Sequence, residues 1–273
     1  MPQTINTNVA SINAQRNLSA SQTSLTTSMQ RLTSGLRVNS AKDDAAGLAI
    51  AERMNSQVRG MNVAIRNAND GISLMQTAEG AIGKVSDMLQ RMRELAVQSA
   101  NATNTTDDRA NLDAEFQQLA QEVTRTALNS KFNGVAVIGS GAATVAYQVG
   151  ANSTDQVSVT TSNAATITST VTAGNITSAG NASTAMANID TALNAINTER
   201  ALYGAAQNRF EAIISTLQVS AENTTAARGR IMDADFASET ANLSRAQILQ
   251  QAGTAMLAQA NQVPQQVLQL LRG

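Results

Sequence analysis

The chain contains no cysteine, no histidine and no tryptophan. Without cysteine it has no disulfide framework and no thiol chemistry, and without histidine it lacks the commonest metal ligand and acid–base group. A histidine-based catalytic triad is therefore excluded, and the motifs HExxH, GxSxG, CxxC and the phosphate loop are also missing. The sequence predicts a protein that is not an enzyme and that carries neither a cofactor nor a metal ion.

Charge, aromatic residues and proline are also scarce. Charged residues make up 14% and aromatic residues 2% of the 273 residues, and only two are proline, whereas about 25% charged residues is usual. The length suffices for one or two domains with a core of Ala, Leu, Ile, Val and Met. A net charge of −1 provides no basic field for nucleic acid. The low charge suggests that much of the surface is covered by other protein.

The stretch from residue 246 to residue 271 has no charged side chain at all. Steps of three and four along it predict a helical seam, formed by Leu249, Ala252, Met256, Ala260, Val263, Val267 and Leu270. Its eight glutamines argue against a membrane span, because each amide would need a partner in lipid. We expect a helix that meets protein on most sides and that requires partners.

The N-terminal stretch has the same character, with Arg16 as its only charge before residue 31. A heptad seam interrupted by Gln22 is predicted, formed by Leu18, Leu25, Met29, Leu32 and Leu36. The natural partners of the two terminal helices are each other and their counterparts in neighbouring copies. Since neither helix can bury its outer face alone, we expect both ends to be disordered in a free monomer.

Between these ends, turn-forming segments alternate with segments whose apolar residues have helical periodicity. Residues 35–47 are rich in turn formers and predict a hinge, in which Asp43 and Asp44 place charge at a helix N-terminus. A long helix follows, with an apolar residue at every seventh position, namely Met61, Ala68, Met75, Ile82, Leu89 and Ala96. The cluster at 101–106 ends it, and Thr106 or Asp107 is predicted to cap the next helix.

Residues 132–189 contain one charged residue, Asp155. Alternation at Val145–Val149 and Val157–Val159 predicts a β-hairpin, and Ile167, Val171 and Ile176 suggest further weak strand. Helical period returns between Met186 and Leu217. The predicted fold is mainly α, a long antiparallel helical bundle with paired N- and C-terminal coiled-coil helices and a small β-hairpin region in the middle.

Three domains are predicted. Residues 1–43 and 233–273 form a terminal coiled-coil domain, residues 44–135 and 183–232 form a helical rod domain, and residues 136–182 form the β-hairpin with a short, surface-exposed variable segment.

Several long strings resemble bacterial flagellin. They are INTN at 5–8, LTSGLRVNSAKDDAAGLAIAERM at 32–54, LQRMRELAVQSANATNT at 89–105, FNG at 132–134, ARGRIMDADFASETANLSR at 227–245 and the C-terminal stretch through LLR. The resemblance covers the two terminal thirds almost continuously. The short middle resembles a flagellin with a reduced central variable region.

The resemblance implies a structural subunit that self-assembles into the helical filament used for motility, or alternatively a low-copy junction or minor filament protein. It implies a homopolymer, with an export chaperone and the cap and hook-junction proteins as further partners, and neither nucleic acid nor membrane. The N-terminus lacks a secretory signal peptide, which by itself predicts a cytoplasmic protein. Export of this family through the flagellar type III apparatus, without a cleaved signal, implies an extracellular location instead.

Three residues match positions at which similar flagellins contact a host Toll-like receptor. These are Arg91, Leu95 and Glu115. By spacing alone, Arg91 and Leu95 are one turn apart on a helix, where a solvated face or a subunit contact is the default.

Overall fold

The computed structural model describes residues 7–139, 144–161 and 169–272, and side chains only as far as residue 262. Its helices are α1 (Val9–Ser34), α2 (Ala45–Ala100), α3 (Thr106–Asn129), α4 (Ala179–Met232) and α5 (Phe236–Arg272). Its strands are β1 (Lys131–Phe132), β2 (Val135–Ala136), β3 (Thr144–Gln148) and β4 (Gln156–Thr160), and they form two antiparallel pairs. The predicted fold class, mainly helical with a small β region, is confirmed.

The chain divides into two compact units. One comprises Met1–Ser56 with Asn223–Gly273, and the other comprises Gln57–Glu222. We call them the terminal unit and the central unit. The division into three domains at the boundaries given above stays a prediction.

In the terminal unit, α1 and α5 pair antiparallel. The Asn8 amide donates to the Ala260 carbonyl over 2.7 Å, and Arg31 lies 3.8 Å from Glu239. Between these contacts, a Cβ added to Gly253 would lie 3.2 Å from Leu18 Cδ1. The glycine thus allows the two helices to approach closely at this point.

The least exposed positions of this pair follow a strict heptad on each helix. We call them the inner seam. On α1 they are Ser11, Ala14, Leu18, Ser21, Leu25, Ser28 and Leu32. On α5 they are Glu239, Leu243, Ala246, Gln250, Gly253, Leu257 and Ala260. Leucines alternate with serines along α1 from Leu18 onward, whereas on α5 Leu243 and Leu257 are separated by Ala246, Gln250 and Gly253.

The large apolar residues of the two predicted seams lie in different places in this pair. Leu18, Leu25 and Leu32 lie on the inner seam, but Met29 is exposed, and the seam passes through Ser28 beside it. On α5, Leu249 and Met256 are exposed. The helices turn their small residues inward, because small side chains permit closer backbones than two facing rows of leucine would.

The hinge region is bound to the start of α5. Gly35 caps α1 in the left-handed conformation, with φ of 71°, and Leu36 forms an isolated antiparallel bridge with Asp233. Backbone N–H groups of Ser40 and Asn39 donate to the Asp43 carboxylate and lower its pKa. Asp44 accepts the Gly47 N–H over 2.8 Å, so the expected acidic cap at the start of α2 is confirmed.

In the central unit, α2 contributes its predicted heptad to the core. All six residues of that series are buried, from Met61 to Ala96. Against them lie Ile189, Ile196, Tyr203 and Phe210 of α4, which are also spaced by seven residues, and Phe116, Ala120, Val123 and Ala127 of α3.

The cap of α3 differs from the prediction by one residue. Thr105 is the N-cap, and it forms a capping box with Asp108 in which each side chain accepts the other residue's backbone N–H. The reciprocal pair satisfies two helix-end donors, which makes Thr105 the better cap than Thr106 or Asp107.

The predicted hairpin is confirmed as β3 and β4, with Tyr147 opposite Val157. A second hairpin was missed: β1 and β2 flank Asn133 and Gly134, whose φ angles are 48° and 80°. Asn-Gly is the preferred sequence for such a two-residue turn, so the signal was present.

The prediction of further strand was wrong at the two positions that the structure describes. Val171 lies in a helical turn and Ile176 in an irregular segment, and both are buried in the core of the central unit. The backbone here bonds to side chains instead of a neighbouring strand: Gly174 O accepts from Gln117, and Ile176 N–H donates to Asp113. Ile167 lies outside the described residues.

Candidate self-association surface

Large apolar side chains lie exposed on both terminal helices. We call this set the outer apolar face. It consists of Val9, Ile12 and Met29 on α1 and Phe236, Ile248, Leu249 and Met256 on α5. Each is between 46% and 66% exposed. Large apolar side chains exposed on two paired helices are candidates for contact with other protein.

Charge is nearly absent around the outer apolar face. Helix α1 carries only Arg16 and Arg31, and no charged residue occurs between 246 and 271, while Arg245 of α5 lies beside Leu249. Arg31 is turned toward Glu239, which is only 8% exposed. The first turn of α5 also favours a carboxylate at Glu239. Few charges would therefore have to be stripped of water if these helices were covered by protein.

Several hydroxyl groups on α1 are satisfied within the helix. Five of them donate to the carbonyl four residues earlier over 2.7–3.1 Å, namely those of Ser21, Thr23, Thr26, Thr27 and Thr33. A hydroxyl group that is already hydrogen-bonded costs less free energy to bury than one that is not. This surface can therefore be covered by protein although many of its residues are polar. Sequence analysis did not single out these residues, although the abundance of Ser and Thr was visible.

The predicted polymerisation residues lie in four different places. Leu18, Leu25 and Leu32 lie on the inner seam, and half-buried Leu36 lies in the bridge with Asp233. Met29, Leu249 and Met256 lie on the outer apolar face. The side chains of Val263, Val267 and Leu270 lie outside the described residues. The role of all ten in polymerisation stays a prediction.

The predicted receptor residues lie in the central unit. Arg91 on α2 is half exposed, and its guanidinium bonds to Glu94 and to Glu115 of α3 at 2.9 Å each. The hydrogen bond to Glu94, followed by that to Glu115, raises the pKa of Arg91 above its ordinary value. Leu95 is only 1% exposed and belongs to the core. The structure therefore brings Arg91 and Glu115 together at the surface and places Leu95 within the core.

None of the helices in the described part of the chain is both long enough and apolar enough to cross a membrane. Paired terminal helices that carry few charges and expose large apolar side chains are typical of a helical protein that associates with other protein.

Family models identify the protein more closely. The model of the bacterial flagellin N-terminal helical region matches residues 5–144, and that of the bacterial flagellin C-terminal helical region matches residues 186–271. The chain therefore belongs to the flagellin family.

Individual relatives agree with the family models. The chain is 48% identical to a flagellin of Halalkalibacterium halodurans over 270 residues, which cover 98% of this chain and 99% of that protein. It is 39% identical to a flagellin of Bacillus subtilis, at 98% and 99% coverage. The crystal structure of Bacillus cereus flagellin is similar with a TM-score of 0.52 and 33% identity, covering 60% of this chain and 94% of that one.

Proposed function

We propose that this chain is the repeating structural subunit of a bacterial flagellar filament used for motility. Family membership and near full-length similarity to flagellins support this function. The family is one of structural proteins, and a subunit of this kind acts by repeating a helical contact that does not close.

The outer apolar face carries the proposal. Seven large apolar side chains stand exposed on two helices that carry few charges, and no other described part of the chain covers them. Covering them with further copies removes apolar surface from water, at roughly 25 cal/mol per Å². The heptad pairing of α1 with α5 would present this face as one unit.

Polymerisation of the purified chain tests the function. Seeded with short fragments of its own filaments, the full chain should form long tubes that are visible by electron microscopy, and a motile host lacking its own flagellin should regain swimming when it expresses this chain. A chain that remains monomeric at every concentration and in every seeded reaction would contradict the proposal.

The location and the remaining partners belong to the same proposal. As a filament subunit the chain would lie outside the cell, exported through the flagellar type III apparatus. It would meet an export chaperone before assembly and the cap and hook-junction proteins at the filament ends. Co-purification with each of these from a flagellated host would test these contacts one at a time.

A host Toll-like receptor is a further proposed partner of the monomer. Arg91 and Glu115 would make the contact, because they stand together at the surface of α2 and α3. Leu95, beneath them, would hold that part of α2 in place from the core.

A further inference from the structure

Sulfur in this chain is confined to methionine, because cysteine is absent. Among the methionines whose side chains the structure describes, only Met29 and Met256 are exposed, at 54% and 60%. Met75 and Met92 are fully buried in the central unit. The two exposed thioethers lie on opposite terminal helices, and both belong to the outer apolar face.

We propose that Met29 and Met256 are oxidation sites at which a peroxide converts the free subunit into a form that cannot polymerise. The proposal rests on the proposed function, since it places both residues in contacts between subunits. In the reaction the sulfur lone pair attacks one oxygen of hydrogen peroxide. The O–O bond breaks as the S–O bond forms, the sulfur loses two electrons, and the proton of the attacked oxygen passes to the departing hydroxide, which leaves as water.

The surroundings of Met29 make its sulfoxide hard to bury. The shallow depression around it is lined by Thr26, Thr33 and Ser34, among others. Each of these hydroxyls already donates to a backbone carbonyl, and Thr33 donates to the carbonyl of Met29 itself. A sulfoxide oxygen there would accept a bond from these hydroxyls only if an existing bond broke, which leaves the side-chain amides of Gln30 and Asn39 in the same depression as its donors, and ordering either of these side chains costs conformational entropy. A buried acceptor left without a donor is unfavourable.

Near Met256 the only side-chain donor one helical turn away on α5 is the amide of Gln259. No Lys or Arg occurs between residues 246 and 271, and the nearby Thr254 hydroxyl donates to the Gln251 carbonyl. An unmodified thioether packs well in an irregular apolar contact, whereas the sulfoxide is polar. Both sites therefore favour assembly in the reduced form and oppose it in the oxidised form.

Peptide mass spectrometry after limited peroxide treatment tests the first half of the proposal. In the free full-length chain, Met29 and Met256 should oxidise at least tenfold faster than Met75 and Met92, which serve as controls within the same molecule. In assembled filaments, oxidation of Met29 and Met256 should slow at least tenfold. Equal rates in filament and free chain would overturn the proposal.

Polymerisation of the oxidised chain tests the second half. Oxidation should raise the concentration needed for seeded growth at least tenfold, and treatment with methionine sulfoxide reductases should restore growth. The double variant Met29→Leu with Met256→Leu should polymerise normally before and after peroxide, because leucine has similar volume and no sulfur.

Two further results would overturn the inference alone: normal growth of the oxidised chain, or continued peroxide sensitivity of the double leucine variant. If the untreated chain itself never polymerised, the proposed function would fail instead.

Discussion

At the scale of single residues, the glycines of α2 differ in what surrounds them. A Cβ on Gly60 would lie 2.9 Å from Ala151 Cβ and 3.1 Å from Ala151 Cα, whereas Gly80 has nothing within 4 Å. Gly60→Ala should lower the stability of the central unit, because overpacking costs about 1–3 kcal/mol and outweighs a helix-propensity gain of about 1 kcal/mol.

Gly80→Ala is the matched control on the same helix, and it should raise stability by up to about 1 kcal/mol. Thermal unfolding followed by circular dichroism measures both variants. If both variants shifted the melting temperature in the same direction, the turn containing Ala151 would be free to move away from residue 60.

A second residue-scale prediction concerns the exposed pair of Arg91 and Glu115. Arg91→Ala should lower receptor signalling by the monomer about tenfold or more, since an arginine at an interface often contributes 2 kcal/mol or more. Glu115→Ala is the companion variant. Arg125→Ala is the control, because Arg125 is also exposed and also bonds to a glutamate, Glu122, on the same helix. Unchanged signalling by Arg91→Ala would remove the assignment carried over from the family.

At the scale of elements, an ion pair between Arg93 and Asp190 joins α2 to α4. Arg93 Nε lies 2.6 Å from Asp190 Oδ1, and this hydrogen bond lowers the pKa of Asp190. A lowered pKa means that the stabilisation is present above the unfolded value of about 3.9 and disappears as the pH falls through the folded value. Asp190→Asn should therefore lower the melting temperature near pH 7, and the difference should shrink as the pH falls below about 4.

Asp87→Asn is the control for this experiment. Its partner Lys84 lies 3.5 Å away, both side chains are more than two-thirds exposed, and such pairs contribute little. A difference between Asp190→Asn and the unchanged chain that persists undiminished at pH 3 would mean that the ion pair is not its cause.

The elements themselves could largely be predicted from the sequence, but the phase of their contacts could not. The period of seven along α2 located its buried face, because Met61, Met75, Ile82 and Leu89 are large enough to dominate the pattern. On α1 and α5 the same pattern does not show which side chains meet the partner helix, since large apolar side chains lie both on the inner seam and on the exposed surface. Ser28 and Gly253 mark the true inner seam, yet neither contributes to a hydrophobic pattern.

At the scale of the whole molecule, the family and its function could be predicted from long stretches of similar sequence. The roles of surface residues could not, because they depend on which side chains are buried. Arg91 and Leu95 are separated by one turn of α2, so spacing alone places them on one face. The structure separates them, because Leu95 packs into the core of the central unit and Arg91 bonds outward to Glu115. Burial depends on which elements pack together, and a single element's sequence does not contain that information.

Assembly of the whole molecule should depend on the outer apolar face remaining uncharged. Met256 is 60% exposed, so an aspartate there would remain solvated in the free chain, at almost no cost. In a filament the same carboxylate would lie in a protein contact, with no Lys or Arg between residues 246 and 271 to pair with it. A buried unpaired charge costs several kcal/mol, and every subunit would repeat that cost.

Met256→Asp should therefore raise the concentration required for polymerisation by about a hundredfold or more, since each 1.4 kcal/mol corresponds to a factor of ten. Met256→Leu should polymerise normally, because it keeps the size and the apolar character. The melting temperature of the central unit should be the same in both variants, since Met256 lies in the terminal unit. Normal filaments from Met256→Asp would mean that this position faces water in the polymer. Early melting of the free chain would mean that Met256 supports the fold of the monomer.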